Sequence, residues 1–150
     1  MHHPLLYEVN TRCWLRELSE ECGRPVRLDN VPGSEIRAWQ ELGFTHIWLM
    51  GVWPTGPLAR AKAMADQQRR QYSEALPDWK TEDVLGSPYA IADYRVAAGL
   101  GGEAGLAHFR KNLHEHGLKL ILDFVPNHLG LDHLWVRERP GLFVQSAGSV

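Results

Sequence analysis

The chain has 150 residues, is 44% hydrophobic, and carries 16 Lys and Arg against 18 Asp and Glu, a formal net charge of -2. Length and composition of this kind suit one soluble globular domain with a sizeable core and exclude a disordered or fibrous chain. No basic block gives a nucleic-acid footprint, and no apolar run reaches membrane-spanning length. The first ten residues, "MHHPLLYEVN", lack the charged and apolar regions of an export signal. Cys13 and Cys22 are too few for a disulfide framework and have no second pair at metal-site spacing, so a reducing, cytoplasmic setting is expected. Six tryptophans are the unusual count. Core packing accounts for most indole rings, but flat aromatic faces also hold the apolar face of sugars.

In chain order, Leu5 to Leu15 ("LLYEVNTRCWL") begins as an apolar, β-branched run and predicts a strand with its polar end at Asn10 to Arg12. Ser19 to Asn30 mixes charges with Gly and Pro and reads as a loop. Ser34 suits a helix N-cap, Ile36, Trp39 and Leu42 follow at helical steps, and Gly43 stands at the C′ position. Phe44 to Trp53 is then nearly continuous apolar sequence, which predicts a strand covered on both faces, as in a parallel sheet.

The same order recurs downstream. Leu106, Phe109 and Leu113 fall at helical spacing, Gly117 follows, and "LKLILDFV" (Leu118 to Val125) predicts a buried strand. Aligning Gly43 with Gly117 superposes Ile47 on Ile121, a weak helix-Gly-strand repeat that implies βαβ units. The repeat is more than twice the roughly 30 residues such a unit needs. The excess lies between Trp53 and Gly102, at the end of parallel strands where α/β proteins place ligand sites, although Leu58 to Leu76 alone also reads as a solvated excursion.

Asp123 stands inside "LILDFV", where a buried carboxylate needs a partner such as an Arg or backbone donors. Pro126 is expected to stop the strand's ladder, so Asn127 and His128 project from its C-terminal lip. Asp132 and His133 add a metal-site reading, weakened because the His-x₄-His spacing straddles Gly130. The amide oxygen of Asn127 suits a hard cation such as calcium better. "GLGGEAG" follows no strand closely enough to be a dinucleotide fingerprint.

Taken in order, "YEVNTRCWL", "ELGFTHIWLMGVWPTG", "GSPYAIADYRVAAGLGG" and "LKLILDFVPNH" resemble the N-terminal part of the α-amylase family of glycoside hydrolases and glucanotransferases. The most specific piece is Asp123-x-x-x-Asn127-His128. The resemblance implies an α/β fold that is the N-terminal portion, about three βα units, of a (β/α)₈ TIM barrel, with residues 1–150 forming a partial catalytic barrel. It also implies an α-glucan or maltooligosaccharide substrate, no nucleic-acid or membrane partner, and the remainder of the barrel as a partner.

Carried over by position, His128 looks like a hydrogen-bond donor to the sugar and Tyr89 like the aromatic platform beneath it. Asn127 looks like a calcium ligand, and Asp123 like a supporting carboxylate rather than a catalytic acid. The sequence departs from the family at Ala90, where many members have Asp. The family's nucleophile and acid/base residues lie on strands four, five and seven, and a retaining mechanism needs two carboxylates about 5 Å apart. Residues 1–150 alone are therefore expected to be inactive. Two other readings are a non-catalytic sugar-binding remnant and an unrelated small flavodoxin-like α/β domain.

Overall fold

The computed structural model describes residues 3–145, which fall into two compact units. The first comprises the residues up to Trp53 together with Arg95–Phe124, and the second comprises Pro54–Tyr94 with the residues from Val125 onward.

The first unit is a three-stranded parallel sheet in the order β1 (Leu6–Asn10), β2 (His46–Met50), β3 (Lys119–Leu122). The parallel sheet was legible in the sequence, but the first strand is shorter than its apolar run. After Asn10 the chain turns directly into helix α1 (Thr11–Cys22). Asn10 caps that helix, its side-chain oxygen accepting from the Cys13 N–H at 3.3 Å, and Gly23 closes it with φ 61°. The expected polar strand end at Asn10 to Arg12 is thus the start of a helix, and the first part of the expected loop, Ser19 to Cys22, is the helix's last turn. Trp14, Leu15 and Leu18 fall on its buried side.

Helix α2 (Gly33–Glu41) starts after Pro32, without the side-chain cap expected from Ser34, and ends against Gly43. Helix α5 (Gly102–Glu115) likewise ends against Gly117. Both glycines are left-handed, φ 84° and 74°, so the helix-Gly-strand repeat is a real backbone device.

Helices α1, α2 and α5 contribute an aromatic cluster. The Trp14 ring lies 5.2 Å from Trp39 and 5.8 Å from Phe109, and Tyr7 of β1 lies 6.0 Å from Trp39. The indole N–H of Trp14 donates to the Glu35 carboxylate at 3.1 Å, which satisfies its one polar atom. Ile47 and Leu49 of β2 are fully buried, as are Phe109 and Leu113 of α5. Each such side chain contributes about 1.5–3 kcal/mol by leaving water.

The expectation of a strand covered on both faces holds for β2, which alternates buried and half-buried positions with none exposed, but not for its neighbours. Alternation puts Val9, Ile47 and Leu49 on the buried face, whereas Leu6 and Ile121, on the other, are 46% and 38% exposed. Strand β3 alternates between exposed and half-buried positions.

In the second unit, the polar stretch after Trp53 forms two short helices, α3 (Pro57–Ala63) and α4 (Asp66–Ala75). Thr55 forms an antiparallel bridge with Ile91, and the Ala92 N–H donates to the Pro54 carbonyl at 2.9 Å, which ties the two ends of the excursion together. Helix α6 (Leu134–Glu138) follows near the C-terminal side. No helix among the described residues is long and apolar enough to cross a membrane.

Candidate functional site

Asp123 is the first residue after β3 and is 7% exposed. One carboxylate oxygen accepts from the Trp48 indole N–H at 2.7 Å, and the other accepts from the Gly51 backbone N–H at 2.7 Å. Its backbone carbonyl accepts from the Trp53 indole at 2.9 Å. A buried carboxylate with both oxygens engaged is stabilised where it stands and has its lone pairs directed at fixed donors. The expected partner was an Arg or backbone donors; the structure supplies one backbone donor and one indole.

An arginine acts on the other side of the same residue. Arg12 donates to the Gly51 carbonyl at 3.2 Å and to the Trp53 carbonyl at 2.8 Å. Burial lowers its pKa from the ordinary guanidinium value, yet a guanidinium stays charged in a protein. Arg12 and Asp123 therefore hold Gly51 through the two successive peptide groups that flank it, at its C=O and its N–H. Sequence reading missed Arg12 because it was taken as the polar tip of a strand, whereas in α1 it sits in the first turn.

The same clamp corrects the role given to Pro126. The β2–β3 ladder stops at Leu49 and Leu122, before the proline is reached, and the Gly51 N–H is engaged by the Asp123 side chain.

Asn127 and His128 are both exposed and lie in the second unit. What positions their segment is a set of backbone contacts within that unit. The Val125 N–H donates to the Tyr94 hydroxyl at 3.0 Å while that hydroxyl donates to the Val125 carbonyl at 3.1 Å. The Gly130 N–H donates to the Ile91 carbonyl at 2.8 Å. A Cβ on Gly130 would stand 2.7 Å from the Ala90 carbonyl oxygen, so only glycine allows this approach. The chain next to Tyr89 is thereby pinned to the chain next to His128. Tyr89 is 39% exposed, and its backbone N–H donates to the Ser87 hydroxyl at 3.3 Å.

Asp132 and His133 take local structural positions. The Asp132 carboxylate accepts from the backbone N–H groups of Leu58 and Ala59 at the start of α3, at 3.1 and 3.2 Å. His133 is 7% exposed and accepts from the Trp135 N–H at 3.2 Å as the cap of α6. No group of three or more His, Cys, Asp or Glu side chains able to hold a metal stands among the described residues.

Of the tryptophans, Trp14 and Trp39 belong to the core and Trp48 and Trp53 serve Asp123, while Trp135 is half exposed. Trp79 packs edge-on to Tyr72 at 5.6 Å and donates its indole N–H to Ser73 at 2.8 Å.

A family model described as the alpha amylase catalytic domain matches residues 34–141. The 1,4-alpha-glucan branching enzyme GlgB of Chlamydia trachomatis serovar L2 is 27% identical over 136 residues, covering 84% of this chain and 16% of that enzyme. An alpha-amylase from Lactobacillus plantarum superposes with a TM-score of 0.67 at 27% identity, covering 96% of this chain and 27% of that one. A noncanonic maltogenic alpha-amylase, AmyB, from Thermotoga neapolitana superposes at 0.66 with 22% identity, covering 96% and 28%, and speaks for the fold alone.

The chain thus spans a minor part of the length of each of these proteins. Its parallel strands and intervening helices are the N-terminal portion, about three βα units, of a (β/α)₈ barrel. With most of the sequence inside the matched region, the chain belongs to the alpha-amylase catalytic-domain family.

Proposed function

We propose that residues 1–150 are a partial catalytic barrel of an α-glucan-active enzyme, a retaining glycoside hydrolase or glucanotransferase, and that their part is to bind the sugar rather than cleave it. The carrying observation is that both carboxylate oxygens of Asp123 already accept hydrogen bonds. Retaining hydrolysis needs two carboxylates about 5 Å apart across the bond, one free to attack and one free to give and take a proton. Asp123 is therefore a support, which leaves binding to His128 as donor and Tyr89 as platform. The pinning of Gly130 against Ala90 and Ile91 supports that pairing.

Calorimetric titration with maltotriose tests this reading. Binding that is lost in His128→Ala and weakened in Tyr89→Ala is expected; equal affinity in all three proteins overturns it.

Asn127 offers one amide oxygen to a calcium ion, which takes 6–8 oxygen ligands. Without a carboxylate cluster among the described residues, the rest of such a site comes from backbone carbonyls, water or other residues. A melting temperature unchanged between calcium and EDTA would remove calcium from the proposal. Cys13 and Cys22 are exposed free thiols, which suits a cytoplasmic location; cell fractionation checks it.

A further inference from the structure

The sheet of the first unit has a second face, opposite to the one that buries Val9, Ile47 and Leu49. The ladder pairs Leu6 with His46 and His46 with Lys119 in one row, and Glu8 with Trp48 and Trp48 with Ile121 in the next. These six side chains therefore share that face. His46 and Trp48 on the middle strand are half-buried, whereas the outer strands leave Leu6 46% and Ile121 38% exposed, with Glu8 and Lys119 exposed beside them. The Trp48 indole N–H is already given to Asp123, so what its ring offers outward is apolar. Exposed apolar side chains rimmed by charge mark an interaction surface.

The charges narrow the occupant. Glu8 stands on β1 at one edge and Lys119 on β3 at the other, and neither side chain has an ion-pair partner among the described residues. A surface acidic at one edge and basic at the other is complementary to a second copy of itself. Two such sheets, stacked about 10 Å apart with their strands aligned, can be related by a two-fold axis in two ways. An axis across the strands lays β1 over the partner's β1, acid against acid and base against base. An axis along the strands lays β1 over the partner's β3 instead. Lys119 then stands two residues, about 7 Å, along the strand from the level of the partner's Glu8, a span that a lysine stem covers. Symmetry makes this pair twice. It also brings Leu6 beside the partner's Ile121, with the Trp48 rings meeting at the axis.

We propose that two copies of residues 1–150 associate through this sheet face, about a two-fold axis along the strands, with reciprocal Glu8–Lys119 pairs on either side of an apolar centre. The proposal uses none of the residues assigned to the sugar, so it stands or falls apart from that reading.

Sedimentation equilibrium over a series of protein and salt concentrations tests it. The unsubstituted chain should be dimeric, with a dissociation constant that rises with salt as screening weakens the pairs. Glu8→Lys sets lysine against Lys119, and Lys119→Glu sets glutamate against Glu8, so each variant alone should dimerise at least about tenfold more weakly. Glu8→Gln and Lys119→Gln, which remove a charge without creating a like pair, should weaken it less. Mixed in equal amounts, the two charge-reversed variants should form a heterodimer, because each copy then carries the charges that the other lacks. A chain that stays monomeric throughout the series overturns the proposal. So does a dimer that both reversals leave intact, or a mixture no more associated than its two components.

Discussion

Asp123 and His128 are five positions apart in one motif and live in opposite physical regimes. Asp123 is 7% exposed and holds three hydrogen bonds with Trp48, Gly51 and Trp53. His128 is exposed, and its side chain makes no hydrogen bond among the described residues. A buried polar group with its partners in place contributes to stability and is turned toward fixed donors inside the fold, whereas an exposed one with none contributes little to stability and stays open to a ligand. The motif therefore divides into a half that holds the strand end and a half that faces outward.

The largest effect should come from Asp123→Ala. It leaves the Gly51 N–H and the Trp48 indole without acceptors, each costing about 1–3 kcal/mol. Urea unfolding should show a loss of several kcal/mol, and a loss below about 0.5 kcal/mol would erase the contrast with His128. Next is Gly130→Ala, whose Cβ would stand 2.7 Å from the Ala90 carbonyl oxygen. Relieving that overlap should cost about 1–3 kcal/mol and should also weaken sugar binding, since the Tyr89 segment is held through this contact; unchanged binding would show that the pinning does not matter to the site.

Asp132→Ala removes the acceptor at the start of α3. A cost near 1 kcal/mol is expected, as for other N-cap losses, and a thermal melt would register it as a small shift. Smallest in stability is His128→Ala, expected within about 0.5 kcal/mol of the parent while its maltotriose affinity falls at least tenfold. A large loss of stability in that variant would mean that the side chain is structural after all.

Much of the first unit was legible because its signals are local. Gly43 and Gly117 each mark the end of a helix and the start of a strand, and both adopt the left-handed backbone that the reading requires. Helix α1 was lost because Asn10 has two local meanings, the polar end of a strand and the cap of a helix. Trp14, Leu15 and Leu18 at helical spacing, followed by Gly23, were the signal that distinguishes them.

The repeat along the chain does not fix the register of the ladder. Aligning the glycines pairs Ile47 with Ile121, but the ladder pairs Ile47 with Leu120 and Trp48 with Ile121. A slip of one residue changes the face of the sheet. That is why Ile47 is fully buried while Ile121 is 38% exposed.

The sequence by itself determined which residue types stand at the end of the third strand and the family they point to, because a motif is a matter of spacing along the chain. It could also say that Asp123 needed partners, since burying a carboxylate alone is prohibitive. Which groups those are was decided only by the tertiary structure: Trp48 and Gly51 lie 75 and 72 positions away in the chain. Their approach depends on parallel pairing of β2 with β3 and on Arg12 holding the carbonyl of Gly51. Local propensity acts over a few residues, whereas the register of a parallel sheet is set by contacts between segments that the sequence keeps far apart.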